Sequence, residues 1–139
     1  MFEKILIAND GSETSMRALE AGMEIARLFK STVIIVYAAY VPLMYTGDIR
    51  PEIKDALRDD GRKILENANR LVKDAGIECE TKLLFDEKPA DGILRVAEEG
   101  NLDLIVIGSR GLDATTRKAL GSTSIRVIEE AHKATLVVY

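Results

Sequence analysis

This chain of 139 residues offers few groups for covalent or metal chemistry: it has one cysteine, one histidine and no tryptophan. A single cysteine, Cys79, excludes an internal disulfide and suits a reducing compartment, where a lone thiol is ordinarily a small core residue. With His132 as the sole histidine, no histidine–cysteine cluster can hold zinc. Its position near the end of the last predicted helix suits a cation beside the carbonyl end of a helix dipole rather than catalysis. Positive charge is also scarce. Lys and Arg number 19 against 23 Asp and Glu, a net charge of −4, so the general attraction to phosphate backbones or anionic lipid is missing. We therefore expect no nucleic-acid partner. No apolar run approaches the roughly 18 residues of a membrane span. The start, Met1-Phe2-Glu3-Lys4-Ile5, lacks the charged region, apolar stretch and cleavage site of a secretory signal. The expectation is a cytoplasmic protein without membrane association.

What is present is the balance of an ordinary globular fold, with 47% hydrophobic and 30% charged residues. The length predicts one domain, 1–139, able to bury a core without a covalent staple. Ile5-Leu6-Ile7-Ala8 is a short continuous apolar run, which reads as a buried strand, and Asn9-Asp10-Gly11-Ser12 breaks it. From Ser12 to Phe29 the residues Met16, Leu19, Met23, Ala26 and Phe29 recur at helical spacing, with Ser12 or Asp10 as candidate cap. A strand over Thr32 to Ala39 is followed by a loop, Val41 to Gly47, that carries Met44 and Tyr45 beside the predicted strand end. Pro51 suits the start of a long helix ending near Gly76, with Ile53, Leu57, Ile64, Ala68, Leu71 and Ala75 as its apolar stripe. The remaining pattern predicts a strand over Ile77 to Phe85, a helix over Ala90 to Glu98 and a strand over Leu102 to Ile107. A helix over Ser122 to His132 and a strand over Thr135 to Tyr139 close the chain.

Strands and helices alternating in this way call for an α/β fold: an open five-stranded parallel sheet with helices on both faces, Rossmann-like in architecture. Ligands on such sheets bind beyond the carboxyl ends of the strands, where the strand order reverses. The loop after the fourth predicted strand stands out there. Gly108, Gly111 and Gly121, followed at once by Ser122, form the pattern G-x2-G-x9-G-S. Glycine lets a ligand approach the backbone where a Cβ would intrude. The helix that follows opens with amides lacking intrahelical partners, which favours an anion at Ser122, Thr123 and Ser124. The plainer reading is an ordinary loop whose serine caps a helix. A chance match to this spacing in such a chain has a probability on the order of one percent, and its place between strand and helix lowers that further.

This glycine pattern after a strand resembles the ATP-binding signature of universal stress proteins, and Ile5-Leu6-Ile7-Ala8-Asn9-Asp10-Gly11-Ser12 resembles that family's first strand and turn. The resemblance spans the chain through Val137-Val138. It implies a fold like that of the adenine nucleotide alpha hydrolases and an adenine nucleotide as ligand, ATP with Mg2+. Ala8, Asn9 and Asp10 would line the adenosine side, Asp10 accepting from the ribose hydroxyls. Ala38 would meet the adenine edge, Ile107 would pack the base, and Gly108, Gly111, Gly121, Ser122, Thr123 and Ser124 would hold the phosphates. The resemblance also implies a homodimer through the C-terminal strand, whose Thr135-Leu136-Val137-Val138 is an apolar edge that needs covering. One departure is His132-Lys133-Ala134-Thr135 where many members have a proline.

Three functions stay open on these residues. The first is a regulatory or protective module of the stress response that holds ATP and is read by partners. The second is a slow ATP hydrolase, although the chain has neither a G-x4-G-K-[S/T] loop nor an S-G-G-x-D-S loop, Asp10-Gly11-Ser12 standing where the latter would fall. The third is an interaction protein with a vestigial pocket. Asp10 has the alternative role of capping the first helix, and Arg110, Arg117 and Lys118 are alternatives as phosphate contacts or as solvated surface charges.

Overall fold

The computed structural model describes residues 1–39, 49–85, 87–110 and 120–139. Nine elements follow one another: β1 (Lys4–Ala8), α1 (Glu13–Phe29), β2 (Thr32–Ala39), α2 (Ile49–Asp74), β3 (Cys79–Phe85), α3 (Pro89–Glu99), β4 (Leu104–Gly108), α4 (Ser122–Glu130) and β5 (Ala134–Val138). The strands form one five-stranded sheet in the order β3-β2-β1-β4-β5, every pairing parallel. The expected architecture is therefore the observed one. The chain winds from β1 out to β3 and then returns to place β4 on the other side of β1. The order reverses between β1 and β4, and beyond the carboxyl ends at such a reversal sheets of this kind form a ligand crevice.

Alternation along each strand divides the core into two layers. Ile5 and Ile7, Val33, Ile35 and Tyr37, with Leu104 and Val106, pack under α1 and α2 through Ala18, Leu19, Ala26, Leu65, Ala68 and Val72. Leu6, Val36, Leu84, Ile105 and Ile107 pack under α3 and α4 through Ala90, Ile93, Val96, Ala97 and Val127. Burial of the inner strands β1, β2 and β4 on both faces accounts for their continuous apolar runs.

The helix stripes differ in detail from the expectation. On α1, Leu19 and Ala26 are buried as expected, but Phe29 is 45% exposed and meets the Phe2 ring edge-on instead. On α2 the buried stripe runs through Gly61, Leu65, Ala68 and Val72, while Leu71 faces out. Strands β3 and β4 begin two residues after the predicted Ile77 and Leu102, which are buried helix-closing residues. The Ile77 amide donates to Val72 O and the Leu102 amide to Ala97 O, the six-to-one bond of a left-handed helix terminus. Helix α4 ends at Glu130, two residues short of the predicted boundary, and His132 adopts a left-handed φ of 51°. The expectation for Val41 to Gly47 lies outside the described residues.

Candidate functional site

The two strand ends that flank the crevice are built differently. After β1, the Asn9 amide still bonds to Val36 O (2.9 Å), and the side chain of Asn9 is 2% exposed. Its Oδ1 accepts from the Gly11 amide and the Ser15 hydroxyl, both at 2.9 Å. Asn9 thus holds the turn from within. Asp10 Oδ1 accepts from the Ser12 amide at 2.9 Å, and Ser12 Oγ in turn accepts from the Ser15 amide at the start of α1. Of the two candidate caps it is Ser12 that caps the helix, and Asp10 shapes the turn before it. Gly11 has a φ of 85°, which a residue with a Cβ adopts only at a cost, so the turn requires glycine.

Under this turn lies Tyr37 of β2, 4% exposed. Its phenol is pushed up from its ordinary value, first by burial and then by the charges of Asp60 and Asp10. The hydroxyl therefore stays protonated and neutral through the neutral pH range.

After β4, backbone and side chain together pin the chain. The Ser109 amide donates to Val138 O (2.8 Å), the Gly121 amide donates to Ser109 O (2.7 Å), and the Ser124 hydroxyl donates toward Gly108 O (2.9 Å) and Ser109 O (3.3 Å). Gly108 and Ser109 are thereby held to Gly121 and Ser124 at the carboxyl end of β4. The Thr14 hydroxyl of α1 donates to Arg110 O and ties that exit to the first helix.

The glycines of the motif have unlike surroundings. A Cβ on Gly108 would lie 2.7 Å from Thr14 Oγ1, 2.9 Å from Thr14 C and 3.0 Å from Ser15 N. Glycine at 108 is thus required by the close approach of α1 to β4. A Cβ on Gly121 would meet Ser109 O at 3.6 Å and Arg110 Cα at 3.7 Å, ordinary contact distances. The packing of the described residues alone therefore does not demand glycine at 121. Gly111 lies outside the described residues.

Gly121 is the N-cap of α4, and no side chain caps this helix. The amides of Ser122, Thr123 and Ser124 point out of its first turn without an intrahelical acceptor. With the helix dipole behind them they form an anion-receiving end. Ser122 is exposed, Thr123 half-buried and Ser124 5% exposed, so the Ser124 side chain serves the loop anchor while its amide faces the helix start. Ala8, Ala38 and Ile107 share the face of the sheet covered by α3 and α4, near the carboxyl ends of β1, β2 and β4. Ile107 is 2% exposed within that layer, whereas Ala8 and Ala38 are half-buried above it.

Asn9 and Asp10 thus follow β1, Gly108 ends β4, and Gly121, Ser122, Thr123 and Ser124 form the start of α4, with Ala8, Ala38 and Ile107 on the sheet face under α3 and α4. Sequence reasoning missed Thr14, Ser15 and Ser109, the polar residues that fix this crevice. A signal existed for Ser15: it falls on the same helical stripe as Leu19, Gly22 and Ala26, where a polar side chain needs an internal partner. Elsewhere, a cavity of about 350 Å³ lies at the amino ends of β2 and β3, lined by Arg27, Lys30, Gly76 and Glu78 among others. It lies at the opposite end of the strands from the order reversal, so the carboxyl ends of β1 and β4 are the stronger candidate.

A doubly wound α/β sheet with an anion-receiving helix start at its order reversal defines a class of mononucleotide-type sites. The chain belongs to the universal stress protein family, whose model matches residues 1–139. It is 34% identical to universal stress protein YxiE of Bacillus subtilis, over 99% of both chains. Among solved structures it resembles MJ0577 of Methanocaldococcus jannaschii with a TM-score of 0.88 and 27% identity, covering 99% of this chain and 96% of that one. It also resembles a universal stress protein in complex with cAMP (TM-score 0.74, 27% identity, 99% and 97% coverage). A third likeness is to the Archaeoglobus fulgidus universal stress protein in complex with dAMP (TM-score 0.73, 26% identity, 100% of both chains).

Proposed function

We propose that this chain is a single-domain module that binds an adenine nucleotide, ATP by preference, and presents the bound state to partners in a cytoplasmic stress response. The observation that carries the reading is the uncapped start of α4, its amides at Ser122, Thr123 and Ser124 held beside the end of β4 through Gly121 and Ser109. Charge-assisted bonds of this kind contribute roughly 1.5–3 kcal/mol each, enough with apolar burial of the base for micromolar affinity near 8 kcal/mol. Gly108 and Gly111 would bring backbone to the phosphates, and Ala8, Asn9, Asp10, Ala38 and Ile107 would form the adenosine side. The dAMP and cAMP complexes of similar proteins support an adenine nucleotide in this crevice.

Among the described residues no cluster of three or more His, Cys, Asp or Glu could hold a metal. A Mg2+ ion arriving with ATP would neutralise phosphate charge. Strand β5 is an edge whose Leu136, Val137 and Val138 are half-buried, which supports a homodimer formed along it.

The test is to denature the purified protein and identify released nucleotide by mass spectrometry, then to titrate nucleotide-free protein with ATP in a calorimeter. Retained adenine nucleotide or micromolar ATP binding is expected. The absence of both refutes the proposal. Phosphate release with Mg2+ separates holding ATP from slow hydrolysis, and sedimentation equilibrium checks the dimer.

A further inference from the structure

Helix α2 joins the parallel strands β2 and β3, so it runs back across the sheet from their carboxyl ends. It approaches closely at Gly61: a Cβ there would lie 2.6 Å from Tyr37 Cδ1 and Cε1 and 2.7 Å from Leu83 Cδ1. The missing side chain lets the helix backbone settle onto the Tyr37 ring. One turn further, on the same face, stands Ile64. A Cβ built on Gly11 would meet Ile64 Cδ1 at 2.8 Å and Cγ1 at 3.2 Å, so this side chain rests on the turn that follows β1.

Hydrogen bonds tie that turn to other elements. The Asn9 amide donates to Val36 O of β2, Asn9 Oδ1 accepts from the Gly11 amide and the Ser15 hydroxyl, and Asn9 Nδ2 meets Met16 Sδ of α1 at 3.6 Å. Ile64 adds apolar support from α2, and it packs on the core layer that holds Leu65, Ala68 and Val72. It bears on the Gly11 backbone, so its effect is separate from the partners of the Asp10 side chain.

We propose that Ile64 is a positioning residue for the adenosine side of the site: seated between α2 and Gly11, it fixes the backbone of residues 9–12 at the carboxyl end of β1 without touching the nucleotide. The proposal rests on the nucleotide reading and adds a residue outside both sequence motifs. It makes the adenosine part of affinity sensitive to Ile64 and leaves the phosphate part unchanged.

The test uses the full chain. Ile64→Val removes Cδ1, the atom that stands nearest Gly11, and Ile64→Ala removes the contact altogether. Leu65→Ala is the control: Leu65 is 5% exposed on the same helix, and its loss opens the same core while Ile64 stays on Gly11. Each protein is titrated with adenosine and with ATP. Exchange of the Gly11 amide, which donates to Asn9 Oδ1, is compared with that of Ile7 in β1. We expect adenosine to weaken about threefold in I64V and about tenfold in I64A, ATP to weaken by the same factors, and Gly11 exchange to accelerate selectively. L65A should lower the melting temperature at least as far as I64A, yet change adenosine affinity by less than about twofold. Unchanged adenosine affinity in I64A, an equal loss in L65A, or a loss for ATP well beyond that for adenosine would overturn the proposal. If I64A does not fold, I64V decides in its place. If the unaltered protein binds neither ligand, the nucleotide reading fails by itself. Gly11 exchange then decides Ile64: selective acceleration in I64A but not in L65A upholds its hold on the turn, and unchanged exchange refutes it.

Discussion

Replacing Gly121 separates a glycine kept for folding from one kept for a ligand. Its backbone, φ −78° and ψ 166°, is extended and open to β-branched residues, and a Cβ there meets only Ser109 O and Arg110 Cα at 3.6 and 3.7 Å among the described residues. Gly121→Val exchanges a tolerable N-cap for a poor one, a cost of about 1 kcal/mol. Loss of glycine's freedom in the unfolded chain offsets about 0.4–1 kcal/mol of that. For a domain of this size the melting temperature should move by less than about 4 °C. Binding should respond far more strongly. The valine methyls project from the helix cap into the space a phosphate needs, and losing one or two charge-assisted bonds of roughly 1.5–3 kcal/mol each weakens ATP by about a hundredfold. Gly121→Ala should fall between, near tenfold. Calorimetric titration with ATP and thermal melts of the nucleotide-free proteins measure both quantities. Unchanged ATP affinity in the valine variant, or loss of its fold, would refute the reasoning.

The two serines of α4 should part company. Ser122→Ala should leave the melt unchanged and weaken ATP by about 1–3 kcal/mol, whereas Ser124→Ala, which removes the anchor to Gly108 O and Ser109 O, should lower stability by about 1 kcal/mol in the absence of any nucleotide. Gly108→Ala forces a methyl against Thr14 and Ser15 and should cost about 1–3 kcal/mol in denaturant titration, again without nucleotide. Burial pushes the Cys79 thiol up to about 11. Its neutral form is favoured in the folded state, so this contribution is complete below the unfolded thiol's value and declines as pH rises toward 11. Native protein at pH 8 should therefore react with a disulfide reagent far more slowly than denatured protein, and equal rates would contradict the burial.

The inner strands were legible because both faces of the sheet are covered there: a run such as Ile5-Leu6-Ile7 has no polar alternation to confuse it, and Thr32–Ala39 stands where its β-branched residues place it. The α2 stripe was less so. Ile64 and Leu65, and again Leu71 and Val72, are adjacent apolar pairs, so two stripes about 100° apart fit the same spacing. The true one passes through Gly61, which carries no hydrophobic signal. Ile77 and Leu102 were read as strand starts for a related reason. An apolar residue that closes a helix terminus is buried like a strand residue, and only its bond back to Val72 O or Ala97 O distinguishes the two.

The crevice shows where such reading stops. In sequence, Gly108 and Gly121 are equivalent members of one spacing, yet one is filled from behind by α1 and the other is not, because the neighbours that decide this lie 94 and 12 residues away in Thr14 and Ser109. The same distance hides the partners of Ser124 and Thr14. A hydroxyl near a phosphate-binding motif looks like a phosphate ligand until the carbonyl it already serves is known. The motif therefore locates the site and its sign of charge, since strand, glycine and helix start are local features. The division between residues that would touch a ligand and those that aim the residues touching it depends on which helix lies across which strand end. In this chain that division turns on α1, whose first turn is bonded to the β1 turn on one side and packed against the exit of β4 on the other.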